Sequence, residues 1–256
     1  MLYETICHIL PLAPAAACLT GCAQDTPAAP AAGTPPPGQA VVTCRVAAVT
    51  DEQLLLAKVD GTENDVYALS LGQTPVTYQN PDQTAIRPGD VVQVGYSGAI
   101  QETYPAQLGD VAGIVVEQKG FDNLCSLYLQ VLDDLWRTDD ALNEGVLQLG
   151  LDLSHTRLPP AEQGAVAVAF GQARDLPVVQ GTWQELSDQG YFGQENLEWD
   201  QGLFFSIEED PGAQDLSFTA QKWRGGLAAY FFTGCTAKQS ADGTWPNYTV
   251  GGHAIS

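Results

Sequence analysis

Residues 216–233 read LSFTAQKWRGGLAAYFFT, two strand-like runs separated by Gly225-Gly226. Both runs are rich in apolar and aromatic residues, which is typical of strands, and paired glycines favour a tight reversal. Two further runs, residues 203–207 and 244–250, lie on either side, and Asp210-Pro211-Gly212 marks a turn between the first of them and residue 216. Links this short predict an antiparallel meander.

Helical patterns precede the meander. Apolar residues recur with helical spacing over residues 121–135, which predicts a helix of about four turns. Pro159-Pro160 favours the start of a second helix, because a missing N–H costs little in the first turn. We expect Val166, Phe170 and Ala173 to mark the buried side of this second helix.

Thr182 and Glu185 have the spacing of a capping box, which predicts the start of a short third helix that ends near Gly190. Helices followed by a meander predict an α+β roll of the cystatin or nuclear-transport-factor type. This expectation rests on analogy between folds, and no function follows from it.

The aromatic residues divide the chain in two. Residues 40–119 contain no Phe and no Trp, whereas residues 120–256 contain all eight Phe and all five Trp. The first part has the short alternating runs of β structure, which predict a small β-barrel of the OB type. The strands are expected at residues 42–48, 54–56, 66–69, 91–96 and 111–117. The predicted fold class is therefore α+β, with a small OB-like barrel followed by the α+β roll.

The first residues have the pattern of an export signal. An apolar stretch, residues 5–17, is followed by Leu19-Thr20-Gly21-Cys22, which matches a bacterial lipobox and predicts lipidation of Cys22. A disordered, alanine-rich leader is the alternative. We therefore expect a signal peptide at residues 1–21, a Pro/Ala-rich tether at 22–39, a β-barrel domain at 40–119 and an α+β domain at 120–256.

Residues 90–98 (DVVQVGYSG) and 102–107 (ETYPAQ) resemble a family of small secreted or lipid-anchored proteins of Gram-positive bacteria, a domain of unknown function. Residues 183–186 (WQEL), 222–225 (KWRG) and 228–232 (AAYFF) resemble a domain of uncharacterised exported proteins from anaerobic Gram-positive bacteria. The first resemblance implies a lipid anchor and a β-barrel. Neither resemblance implies an activity or catalytic residues.

Composition limits the partners. The formal net charge of −21 argues against nucleic acid, because affinity for phosphates comes mainly from Lys and Arg. Neither the three His nor the acidic runs have the order of a metal site, so we expect no metal and no cofactor; weak binding of calcium by an acidic run is the alternative. The expected partners are the membrane, through the lipid anchor, and an unidentified protein, peptide or glycan.

Few residues are candidates for catalysis. Ser154-His155 suggests an acyl-transfer pair, but neighbours in an extended segment point to opposite sides, so a loop histidine is the simpler interpretation. Glu198 and Asp200 flank Trp199, an arrangement that would suit a glycoside hydrolase. The same stretch reads equally well as a strand that ends in a turn.

Lys222, Trp223 and Arg224 form the candidate ligand site. Two cationic side chains two residues apart share a face of a strand and would together bind a carboxylate or phosphate. The alternative is that they pair with acids such as Asp215 or Glu208 across the sheet.

Three cysteines remain beside Cys22 after export. Cys44 alternates with valines and is expected in a core. Cys125 and Cys235 lie in the same predicted domain, where they form either a disulfide or two buried thiols.

These observations favour a lipid-anchored, extracytoplasmic binding, sensor or adaptor protein without catalytic activity, located at the outer face of the bacterial cytoplasmic membrane. The alternative is an exported hydrolase that uses carboxylates to act on glycans.

Overall fold

The computed structural model describes residues 39–50, 53–193, 198–212 and 215–256. Three helices are present in this part of the chain: α1 (Leu124–Arg137), α2 (Pro160–Gln172) and α3 (Trp183–Asp188), with a 3-10 turn at Asp140–Asn143. The strands of the first sheet are β1 (Ala40–Val49), β2 (Leu54–Lys58), β3 (Val66–Leu69), β4 (Val76–Tyr78), β5 (Val91–Tyr96), β6 (Ile100–Gln101), β7 (Ala106–Leu108) and β8 (Gly113–Val116). The strands of the second sheet are β9 (Gln148–Asp152), β10 (Val178–Gln180), β11 (Gly202–Glu209), β12 (Leu216–Gly225), β13 (Ala228–Ala237), β14 (Tyr248–Thr249) and β15 (Gly252–Ile255). The protein is therefore α+β, as the sequence predicts.

The first sheet is curled but open. Its strand order is β4-β8-β5-β1-β2-β3-β7-β6, and in the described residues the outer strands β4 and β6 do not pair. A closed barrel needs a continuous ladder between its first and last strands. The outer strands have only three and two residues, and the OB-like barrel expected for residues 40–119 is not closed in this part of the chain.

Strand β2 is buried on both faces. Leu54 and Leu56 belong to the aliphatic core of the curled sheet, whereas Leu55 and Ala57 pack against the helices. A strand that is covered on both faces needs apolar side chains at successive positions. Strand β2 therefore has an uninterrupted run of leucines, whereas apolar and polar residues alternate in β1.

The second sheet is mixed, with the order β10-β9-β11-β12-β13-β14 and β15 paired to β13. The antiparallel meander is present from β11 onward, but β9 pairs in parallel with both β10 and β11. Helix α2 connects β9 to β10, and parallel strands need a crossover connection of this kind. The predicted antiparallel meander is confirmed, and the parallel strands β9 and β10 extend the sheet beyond it.

Helices α1 and α2 lie between the two sheets. Their buried side chains share one core with Ala47, Leu55 and Val66 of the first sheet and with Phe205 and Phe218 of the second. Helix α2 is apolar on nearly all sides because both sheets cover it, but Ala173 just beyond its end is exposed, contrary to expectation. This shared core crosses the junction at residues 119 and 120, where the sequence suggested a domain boundary.

A second, smaller core covers the opposite face of the second sheet. Leu186, Phe192, Trp199 and Phe204 are buried there, and Trp183, Tyr191 and Trp223 pack around them; we call this set the aromatic cluster. The capping box of α3 forms as predicted, with Thr182 and Glu185 binding each other's backbone N–H. In the described residues no helix is long and apolar enough to cross a membrane.

Candidate functional site

Lys222 and Arg224 do share a face of strand β12, but that face points inward. Lys222 is fully buried, and its Nζ donates to the carbonyl oxygens of Asp139 at 2.8 Å and Trp136 at 3.4 Å and to Oδ1 of Asn143 at 3.3 Å. These contacts occupy the three donors of the ammonium group. Burial lowers the pKa of Lys222 to about 8.

Arg224 binds the same segment of the chain, the connection between α1 and β9. Its Nη1 donates to the carbonyl oxygens of Glu144 at 2.7 Å and Leu142 at 3.1 Å, and its Nη2 donates to that of Asp200 at 2.7 Å. Neither basic residue pairs with Asp215 or Glu208 in the described residues, since Asp215 pairs with Lys238 and Glu208 is exposed. The two cations therefore fix the connection between α1 and β9 in place, and Trp223 belongs to the aromatic cluster on the other face.

Cys44, Cys125 and Cys235 are buried free thiols, so the disulfide considered for Cys125 and Cys235 is not formed. Cys125 instead donates to Oε2 of Glu162 at 3.5 Å. Burial raises the pKa of Cys44 to about 12 and that of Cys235 to about 11, which keeps both thiols protonated at neutral pH. Cys22, the predicted lipidation site, lies outside the described residues.

Ser154 and His155 lie in a turn and not in an extended segment, so they meet, with Oγ 3.2 Å from Nδ1. Ser154 Oγ donates its proton to Asp152 Oδ1 at 2.6 Å. Oγ therefore has no second proton to donate to Nδ1, so the contact lacks the serine-to-histidine hydrogen bond of a catalytic pair. His253 lies in edge strand β15 with Nδ1 3.2 Å from the hydroxyl of Tyr230.

The acidic runs are largely used in internal contacts. Asp133 pairs with Arg174, Asp134 accepts from the hydroxyl of Tyr248 at 2.9 Å, and Glu209 accepts from Nε of Arg157 at 2.7 Å. In the described residues no three His, Cys, Asp or Glu side chains come close enough to hold a metal ion.

Glu198 and Asp200 are exposed on either side of Trp199, which is buried in the aromatic cluster. A shallow cleft of about 440 Å³ lies beside them, lined also by Arg224 and Gly225. The guanidinium of Arg224 contacts the backbone carbonyl of Asp200 and not its carboxylate.

Two larger clefts flank helix α2. The first, which we call the hairpin cleft, has a volume of about 510 Å³ and lies between the ends of β1 and β2 and the two helices. Its walls are mainly apolar and its rim is polar. The wall residues include Leu55, Leu129, Ala169 and Phe170, and the rim residues include Thr50, Gln53, Asp133 and Gln172.

Arg174 contacts the residues behind one wall of the hairpin cleft. Its guanidinium stacks on the ring of Phe170 at 3.8 Å and lies 4.9 Å from that of Trp136. It also pairs with Asp133 and donates to the carbonyl of Phe170 at 2.8 Å. These contacts join α1 to the end of α2 beside the cleft.

The second cleft, which we call the edge cleft, has a volume of about 460 Å³ and lies on the other side of α2. It is bounded by Val168 and Gly171 of α2, by the edge strand β10 and by the loop residue Tyr104. The Tyr104 hydroxyl donates to the carbonyl of Glu63 at 3.1 Å and accepts from Nε2 of Gln180 at 3.4 Å.

Sequence reasoning did not find either cleft. Each is assembled from segments far apart in the chain, which no local pattern connects. The one available signal was α2 itself, since a helix without a polar face is usually covered on both sides. Comparison with models of known protein families, with curated proteins and with solved structures found no match for this chain.

Proposed function

We propose that this is a lipid-anchored, extracytoplasmic binding protein that acts without catalysis, and that the hairpin cleft receives an apolar group of its ligand. The anchor would be Cys22, which would hold the folded part at the outer face of the bacterial cytoplasmic membrane. The ligand would be a peptide, a glycan or a protein segment, since the charge of −21 disfavours nucleic acid.

The observation that carries this proposal is the hairpin cleft. Its volume of about 510 Å³ is in the range of small-ligand sites, and such sites are typically apolar with a few polar groups that orient the ligand. Leu129 and Ala169, which are partly exposed, supply apolar surface, and Gln53 and Gln172 supply donors and acceptors at the rim. A stable, open, apolar cleft is what a binding protein needs.

The competing function, an exported hydrolase of glycans, would use Glu198 and Asp200. Such enzymes need one carboxylic acid kept protonated in a desolvated setting beside a second, ionised carboxylate. Both side chains are exposed, which favours binding over hydrolysis. We expect the purified chain to release no reducing ends from peptidoglycan; release that is abolished by Glu198→Gln with Asp200→Asn would establish the hydrolase instead.

The proposal also includes a specific fold for each of the two sheets. We propose that the first sheet is an OB-like barrel left open between β4 and β6. The second sheet would be a cystatin- or nuclear-transport-factor-like roll extended by the two parallel strands β9 and β10. A solved relative with either topology would test this assignment.

The anchor is tested by feeding labelled fatty acid to a bacterium that expresses the full chain. We expect label in the wild type and none in Cys22→Ser, with the variant released from the membrane fraction. Label that survives the substitution would overturn the anchor and leave the cleft untouched.

The cleft is tested with Nile red, a neutral apolar dye, and the full chain carrying Cys22→Ser. Ala173 is exposed and lines the cleft, so Ala173→Trp should fill it and weaken dye binding at least tenfold. Ala141→Trp, at an exposed alanine of the 3-10 turn, is the matched control and should bind as before. Equal binding by both variants, or no binding by the unsubstituted chain, would overturn the cleft assignment.

A further inference from the structure

Strand β10 is an edge of the second sheet. It pairs with β9 on one side, and in the described residues no strand lies on the other. Two hydrogen bonds bracket it: Leu149 N–H donates to the carbonyl of Pro177 at 2.9 Å, and Gly181 N–H donates to that of Leu151 at 3.2 Å.

These two bonds fix which backbone groups face outward. In a parallel ladder the groups of alternate residues point to the same neighbour, so the N–H and C=O of Val179 face β9. The N–H and C=O of Val178 and Gln180 therefore point away from the sheet and bind no partner in the described part of the chain. Both residues line the edge cleft.

The edge cleft gives this open edge a shaped surface. Val168 and Leu176 provide apolar surface next to β10, and Tyr104 forms the opposite wall. Val178 packs close to Gly171 of α2, where a Cβ would collide with it, so β10 and the helix are in tight contact. A helix beside an open strand edge is a geometry that receives an extended chain.

The charge at the cleft is negative. Asp175 lines it, is exposed and has no ion-pair partner among the described residues. Seven ion pairs are seen in that part of the chain, and they engage seven of its ten basic residues, while Lys222 and Arg224 bind carbonyl oxygens. Among the described residues, Asp175 is the one charged residue in the lining of the edge cleft, which makes the cleft complementary to a basic side chain.

We propose that the open edge of β10 binds an extended peptide segment of a partner protein by strand addition. The N–H and C=O groups of Val178 and Gln180 pair with the peptide backbone. Alternate apolar side chains of the peptide enter the edge cleft, and a basic side chain lies near Asp175. The site is on the opposite side of α2 from the hairpin cleft, so neither assignment depends on the other.

The test uses a synthetic peptide, Lys-Val-Thr-Val-Thr-Val-Lys with blocked ends, and the full chain carrying Cys22→Ser. We expect the amides of Val178 and Gln180 to shift in NMR spectra and to exchange more slowly on addition of the peptide. The amide of Val179 already bonds to β9 and should change less. Absence of these changes would overturn the proposal.

Two N-methylated peptides provide the matched control. One carries methyl groups on the valine nitrogens and the other on the threonine nitrogens. Because successive N–H groups of a strand face opposite edges, one of the two peptides should bind at least tenfold more weakly and the other about as well as the parent. Equal binding by both would show that the peptide does not add as a strand.

Two protein variants complete the test. Gln180→Pro removes an outward N–H, which an edge strand tolerates, and should weaken binding about tenfold relative to Gln180→Thr. Asp175 has a φ of +54°, and Asn tolerates this conformation, so Asp175→Asn should fold and bind more weakly with less dependence on salt. Unchanged binding by a folded Gln180→Pro variant would overturn the proposal; if that variant does not fold, the N-methylated peptides decide.

Discussion

Nε of Arg45 donates to Oε1 of Glu162 at 2.7 Å, joining strand β1 to helix α2 across 117 residues of sequence. The same guanidinium donates through Nη1 to the carbonyl oxygens of Gly89 at 3.1 Å and Gly120 at 2.8 Å. Glu162 in turn accepts from Cys125 of α1. One pair of side chains therefore links the first sheet, both central helices and the connection between the two parts of the chain.

We expect Arg45→Met to lower the free energy of unfolding by about 2–3 kcal/mol, because it leaves the mostly buried Glu162 carboxylate without its cation. Arg137→Met is the control. Arg137 is 74% exposed and lies 3.9 Å from its acid, so its loss should change stability by less than about 0.5 kcal/mol. Urea unfolding measures both, and equal effects would contradict a linking role for Arg45.

The stability contributed at Lys222 should depend on pH. Its folded-state pKa, about 8, lies below the ordinary value of 10.5, so between these pH values the unfolded state binds more protons than the folded state. Stability therefore rises with pH across this window. Relative to Lys222→Met, the wild type should gain about 2 kcal/mol from pH 8 to pH 10.5.

Lys238→Met is the matched control for this measurement, since Lys238 is 80% exposed. Its difference from the wild type should stay constant over the same pH range. A flat difference for Lys222→Met as well would mean that the ammonium is not desolvated in the folded protein.

The three cysteines of the folded part should be unreactive until the protein unfolds. With Cys7, Cys18 and Cys22 replaced by Ser, we expect no reaction with a thiol reagent at pH 8, because burial keeps Cys44, Cys125 and Cys235 protonated and inaccessible. Addition of urea without reductant should release all three thiols. Release of a single thiol would reveal a disulfide between Cys125 and Cys235.

Gly164 brings helix α2 against the loop between β2 and β3. A Cβ at this position would overlap the carbonyl oxygen of Glu63, so Gly164→Ala should lower the free energy of unfolding by about 2 kcal/mol, although Ala is the better helix former. Gly226→Ala, where a Cβ meets nothing within 4 Å, should be neutral. Stabilisation by Gly164→Ala would show that the helix can move away from the loop.

Local patterns determined most of the elements. The apolar spacing around Leu124–Arg137, the proline pair before α2, the capping box of α3 and the short turns between β11, β12 and β13 each depend on neighbours within a few residues, so the sequence alone predicts them. The same is true of the shared face of Lys222 and Arg224. The backbone carbonyl groups that these two side chains contact belong to the connection between α1 and β9, about 80 residues earlier in the chain.

The sequence by itself determined the α+β class, the helices and the order of the strands in the meander, because these follow from hydrophobic periodicity and turn chemistry. Only the tertiary structure decided that the first sheet stays open, that β9 and β10 add in parallel and that one helical layer serves both sheets. Those features, and the two clefts beside α2, depend on contacts between distant segments. Such contacts form when separate apolar faces pack together, and no single stretch of residues encodes them.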